Sequence, residues 1–187
     1  MTKEIKAIMI SIKPKWVVKI LNGEKTIEIR KTLPKCDLPI DVYIYCTKSK
    51  YFGYISKRYI GKVVAKFTLR KVDTIKEEGK GIEWCYVGTD FDKTCLDFCE
   101  LDTYLNAKKN GVCGYGWHIS NLEIFDKPKE LSEFYKVGAK EEYEHIMSID
   151  KRQAKPYIDE FYRLIKAPQS WCYIEVRKWE KDIVVYF

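Results

Sequence analysis

Hydrophobic positions in this chain change period abruptly, and each change marks an element. Trp16, Val17, Ile20 and Leu21 recur at helical spacing and give one apolar face over 15–22. Pro14 suits the first helical turn, where its missing N–H has no partner to lose. Gly23, after Asn22, supplies the left-handed conformation through which helices end. From Thr26 to Arg30 the period falls to two, so that Ile27 and Ile29 face one way while Thr26, Glu28 and Arg30 face the other. Similar patterns predict strands over 7–12, 41–47, 61–72, 114–125 and 171–176, with a last apolar run at 183–187. Further helices are expected over 101–108, 140–147 and 156–164.

Many short strands and few helices predict a β-rich α+β fold, a barrel or sandwich rather than a doubly wound sheet. The stretch 73–113 is rich in charge, glycine and cysteine and has one convincing helix. A structureless loop of that length is unusual in a compact domain, so it reads as a partly ordered insertion or lid. A second, helical insertion spans about 127–166. No linker divides the chain, and residues 1–187 read as one domain.

Four segments carry a family resemblance. The run from Ile10 to Lys31, with its Ser-Ile-Lys-Pro start and Gly-Glu-Lys-Thr-Ile-Glu-Ile-Arg core, resembles the opening of the ASCH domains. These are a branch of the PUA-like superfamily of small β-barrels linked to RNA. Gly61-Lys-Val-Val-Ala-Lys-Phe67 is similar to the central barrel strand of that family. Gly114-Tyr-Gly-Trp-His-Ile-Ser120 and Ala167-Pro-Gln-Ser-Trp-Cys-Tyr173 resemble motifs of a bacterial and phage subgroup. The resemblance implies a PUA-like β-barrel decorated by several short helices.

Charge sharpens this expectation. The net charge is +7, yet residues 1–72 hold 17 Lys and Arg against 5 Asp and Glu, a balance of +12, while the remainder sums to −5. A basic half suits a polyanion such as RNA or a nucleotide; the plainer explanation is lysine enrichment for solubility. Seven cysteines, an odd number, argue against a closed disulfide framework. Cys95 and Cys99 make only one loose pair, and His118 and His145 are isolated, so neither a metal nor another cofactor is expected. No apolar run of about 18 residues and no signal segment stand out, so a cytoplasmic protein without membrane contact is expected.

Candidate binding residues follow from chemistry and position. In 41–47, Val42, Ile44 and Cys46 form the apolar row, leaving Tyr43 and Tyr45 opposite with Lys48 just beyond. Rings that stack on bases beside ammonium groups suit nucleic acid, although the same tyrosines can cap an edge of the fold. Gly114, Gly116, His118 and Ser120 share one strand face, and the glycines leave room for a ligand or for another backbone. His118 is a candidate hydrogen-bonding or acid–base group there, or a structural histidine. Gln169 and Ser170 offer hydrogen bonds from a loop. Lys13, Arg30, Tyr45, Lys48, His118, Gln169 and Ser170 are therefore the candidate ligand-binding set, with Lys25 and Glu28 at its centre.

Some ASCH-type proteins are acetylcytidine amidohydrolases, with a lysine, a threonine three residues later and a distant glutamate. Lys25 matches the lysine, but the threonine position holds Glu28, so that hydroxyl is absent. Three functions are thus expected to compete. One is an RNA- or modified-nucleotide-binding module using a basic cleft. Another is a nucleic-acid-related hydrolase (an N-acylcytidine amidohydrolase or ribonuclease) with Lys25 and Glu28 as catalytic residues. A third is a protein–protein adaptor presenting the 73–113 insertion.

Overall fold

Eight strands in one sheet and four α-helices organise the chain in a computed structural model that describes residues 6–49, 55–80, 83–105 and 112–176. The first strand, β1 (Lys6–Ile12), leads into α1 (Pro14–Leu21), with Pro14 at its first position and Gly23 beyond its end at φ 76°. The short β2 (Ile27–Arg30) follows, then β3 (Ile40–Cys46). β3 lies parallel to β1, a pairing that needs a crossover; α1 and β2 supply it.

Two 18-residue strands, β4 (Val63–Lys80) and β6 (Val112–Lys129), form the long axis of the sheet. Their antiparallel register shifts at four places. Such bulges bend a strand and strengthen its twist, which lets the far half of β4 leave the main core and pair with β5 (Glu83–Val87). The helix α2 (Phe98–Leu105) follows. After β6 come β7 (Phe134–Lys136), α3 (Ala139–Ile149), α4 (Lys151–Phe161) and β8 (Trp171–Val176). The final run at 183–187 lies outside the described residues.

The strand order is β2-β6-β4-β3-β1-β8-β7, with β5 beside β4. The sheet is therefore not the closed barrel expected from the sequence. The physical reason lies at β2: it has four residues, its ladder partner is β6, and the adjoining Thr26 amide donates to the Lys93 carbonyl at 3.0 Å.

One face of the sheet gathers Ile8, Ile10, Ile12, Val42, Ile44, Phe67, Leu69 and Trp117 with Val17 and Ile20 of α1. The other gathers Ala7, Met9, Tyr43, Tyr45, Val63, Phe134 and Ile174. The stretch expected as an insertion or lid builds a small core of its own. Ile75, Tyr86, Leu101 and Leu105 close over Ile27 and Ile29. The helices α2 and α4 begin earlier than the sequence pattern predicts. Asp97 Oδ1 accepts from the Glu100 amide at 2.7 Å, and Asp150 Oδ1 from the Arg152 amide at 2.9 Å, and each cap starts its helix upstream of the expected position. Among the described residues no helix is long and apolar enough to cross a membrane.

Candidate functional site

The turn between α1 and β2 sets the site. After Gly23 the Glu24 and Lys25 amides both return to the Lys19 carbonyl, so Lys25 precedes the strand and escapes its alternation. Its side chain turns inward, and its Nζ lies 3.3 Å from Glu28 Oε2 and 5.4 Å from the Trp16 ring centre. Lys25 Nζ also donates to the Thr94 carbonyl at 2.5 Å, on the chain that leads into α2. Glu28 Oε1 accepts from Arg30 Nη2 at 3.0 Å. Lys25, Glu28 and Arg30 thus form a chain of alternating charge with 2%, 6% and 7% of each residue exposed. Burial of that degree demands pairing, because a lone charge out of water costs several kcal/mol.

Arg30 also spans the gap where a barrel would have closed. Its Nη2 donates to the Ser11 carbonyl at 2.8 Å, joining β2 to the end of β1. One step further, Trp171 Nε1 donates to Thr32 Oγ1 at 2.9 Å, joining the exit of β2 to β8. Side chains, not a backbone ladder, therefore hold this seam. Ser11 fixes its far bank: its hydroxyl donates to the Pro168 carbonyl at 2.6 Å, and its amide to the Ser170 carbonyl at 2.9 Å. Arg30 Nε is buried without a hydrogen-bond partner. Burial pushes the Tyr104 phenol of α2 above its ordinary pKa; the Arg30 charge opposes this and Glu28 adds to it.

Above the seam lies an open groove of about 670 Å³ lined by Lys31, Thr32, Leu33, Lys35, Tyr115, Ser170, Trp171 and Tyr173. Trp171 and Tyr173 meet edge to face with ring centres 5.5 Å apart, and Trp171 rests on buried Trp117 at 5.7 Å. Half-buried rings with ammonium groups on one bank can stack a planar group and hold an anion at once.

The sequence candidates divide around this groove. Ser170 lines it, and Arg30 and Glu28 lie on β2, which leads into Lys31. Gln169 is exposed on the adjoining loop. Lys13 is exposed at the cap of α1, where its carbonyl accepts from the Trp16 and Val17 amides. Lys48 is exposed, with its stem against Gly61. Tyr45 is 6% exposed in the core of the other sheet face. His118 pairs in register with Ile27, placing it on the sheet face opposite Glu28 and Trp117.

There His118 Nε2 lies 2.7 Å from Asp73 Oδ2, which also accepts from Thr89 Oγ1 at 2.8 Å, while Lys71 lies 2.9 Å from Oδ1. Burial raises the Asp73 pKa, but the bonds from Lys71, His118 and Thr89 outweigh it and hold the carboxyl below its ordinary value. The space left by the two glycines is filled by the protein itself: a Cβ on Gly116 would come within 2.8 Å of Thr89 Oγ1, and one on Gly114 within 2.6 Å of Leu105 Cδ2.

Sequence reasoning missed Lys31, Thr32, Leu33, Lys35 and Tyr173 as groove residues. The available signal was their place directly after β2 and along β8, where two motifs of the resemblance end. Among the described residues no three histidine, cysteine or acidic side chains gather as a metal site.

Three solved structures share this architecture, all of the ASCH protein of Zymomonas mobilis. The parent aligns with a TM-score of 0.51 at 15% identity, covering 94% of this chain and 90% of that one. A serine-to-alanine variant aligns at 0.52 and 15%, covering 95% and 93%. A tyrosine-to-phenylalanine variant aligns at 0.50 and 14%, covering 94% and 93%. No family model and no curated protein matches the sequence. The chain has the ASCH fold.

Proposed function

We propose that this protein binds RNA or a modified nucleotide in the groove between the exit of β2 and the start of β8. The observation that carries this reading is the lining: three aromatic side chains, Tyr115, Trp171 and Tyr173, share one open groove with Lys31 and Lys35, which come from the basic part of the sequence. A base stacked on such rings gains roughly 1–3 kcal/mol, and the lysines meet its phosphates without reading its sequence. Thr32 and Ser170 supply hydroxyls for hydrogen bonds to base or ribose. In this reading the buried Lys25–Glu28–Arg30 chain supports the groove by fixing the direction in which β2 exits. The test is a titration of single-stranded RNA, with Trp171→Ala and Lys31→Glu as variants. Both are expected to weaken binding at least about ten-fold, of the order that loss of one stacked base produces; unaltered affinity overturns the reading.

The specific observation favouring hydrolysis is the 3.3 Å approach of Lys25 to Glu28, which places a cation beside a carboxylate. With those residues 2% and 6% exposed, a substrate reaches them only if the Thr94 segment withdraws. Turnover on acylated nucleosides and RNA that disappears in Lys25→Ala supports this second reading. Turnover that survives the substitution removes Lys25 from it.

A further inference from the structure

Two buried donors lie under the groove without an acceptor. Trp117 Nε1 and Arg30 Nε have no hydrogen-bond partner among the described residues, although Trp117 is 0% and Arg30 7% exposed. Buried polar groups in folded proteins are nearly always paired, so two orphans in one place call for an acceptor that the fold does not supply. They do share one place. Glu28 pairs in register with Trp117 and Arg30 with Tyr115, which makes Arg30 and Trp117 diagonal neighbours on one sheet face. The Arg30 side chain crosses the seam to the Ser11 carbonyl, and Trp117 carries the ring of Trp171, which lines the groove.

The charge at this place is also out of balance. Lys25 and Arg30 share the single carboxylate of Glu28, whose two oxygens each face one of them. The three therefore sum to +1 in a site nearly closed to water. Tyr104, which reaches Arg30, adds no charge, because burial raises its pKa and keeps the phenol neutral. A water or a neutral carbonyl satisfies the two N–H groups but leaves the excess cation uncompensated, and a buried charge without a counter-ion is strongly unfavourable. An anion meets both demands, through charge-assisted hydrogen bonds. Its shape is limited as well. Arg30 bridges the seam to Ser11 and Trp171 bridges it to Thr32, so a chain cannot thread through, whereas a terminal group can enter from the groove.

We infer that the seam under the groove receives a terminal phosphate of the bound nucleotide or RNA, held by Arg30 Nε and Trp117 Nε1, while the attached nucleoside stacks in the groove. This rests on the groove reading above. The test compares single-stranded RNA of one sequence carrying a 5′-phosphate, a 3′-phosphate or hydroxyls at both ends. One phosphorylated form is expected to bind at least about ten-fold more tightly than the hydroxyl form, the equivalent of one hydrogen bond to a charged group. Trp117→Phe keeps a ring beneath Trp171 but removes the N–H, and is expected to bring that ratio toward one. A preference owed only to Lys31 and Lys35 survives Trp117→Phe and overturns the inference. Equal affinity of the parent for all three forms also overturns it and leaves the groove reading standing. No binding of any form removes both.

Discussion

Glu28 is the residue on which the buried charges depend, since it pairs with both Lys25 and Arg30. Replacing it with glutamine leaves two cations out of water without a counter-charge. Glu28→Gln is therefore expected to cost about 3–5 kcal/mol in urea unfolding, the range for breaking a buried pair from one side. Lys25→Met is expected to cost less, because Glu28 loses one cation but keeps Arg30, and the Thr94 carbonyl, a neutral acceptor, loses its donor. Equal losses would mean that the charges do not act as a chain. The alternation from Thr26 to Arg30 made the charged side of β2 legible in the sequence. Its burial was not, because the covering groups, Thr94 and Tyr104, stand some seventy residues away. Cysteine offers a second check. Burial pushes the Cys46 thiol up to about 12, while Cys85 and Cys99 are exposed. Alkylation of the native protein read by mass spectrometry is expected to label Cys85 and Cys99 and to leave Cys46 unmodified; rapid labelling of Cys46 contradicts the packing described.

The stretch between β4 and β6 is fastened to β2 by complementary shapes as well as by Lys25. Gly88 has φ 104°, and a Cβ there would lie 2.1 Å from the Thr74 carbonyl oxygen, backbone that cannot give way. Gly88→Ala is expected to loosen this stretch. Faster hydrogen exchange over residues 86–105, with β1 and β3 still protected, is the expected signature; unchanged exchange throughout contradicts it. On α4, burial raises the Asp159 pKa, but bonds from Arg163, Lys155 and Tyr135 outweigh that and set it well below the ordinary carboxylate range. The folded value lies under the unfolded one, near about 3.9. Its stabilising contribution is therefore present above that pH and lost as pH falls toward the folded value. Asp159→Asn is expected to lower the Tm at neutral pH and to flatten its decline in acid; parallel curves for parent and variant contradict this.

Periodicity placed these elements better than it sized them. The strand expected over 171–176 has those bounds, whereas β4 and β6 each run beyond the apolar alternation that announced them. Past the core they are held by pairing with β5 and with each other, which needs no amphipathic pattern. Tyr45 and His118 show a related limit: alternation fixes which side chains share a face, but not which face meets solvent, α1 or the stretch between β4 and β6.

Taken together, the elements leave one seam in the sheet, bridged by Arg30 to Ser11 and by Trp171 to Thr32, with the aromatic and lysine-lined groove above it. The four motif segments made the ASCH fold legible from sequence, and the excess of basic residues over 1–72 made a polyanion ligand the leading expectation. The groove itself was only half legible, since it forms where the ends of β2, β6 and β8 converge. The most direct test is the affinity for single-stranded RNA measured across salt concentrations for the parent and for Lys31→Glu with Lys35→Glu. The parent is expected to bind at low salt and to lose affinity steeply as salt rises, with log K falling by about 0.7 per phosphate contact for each unit of log salt. The double variant is expected to bind far more weakly and with a shallower slope. No binding by the parent at low salt, or equal slopes for the two proteins, would contradict a nucleic-acid groove at this seam.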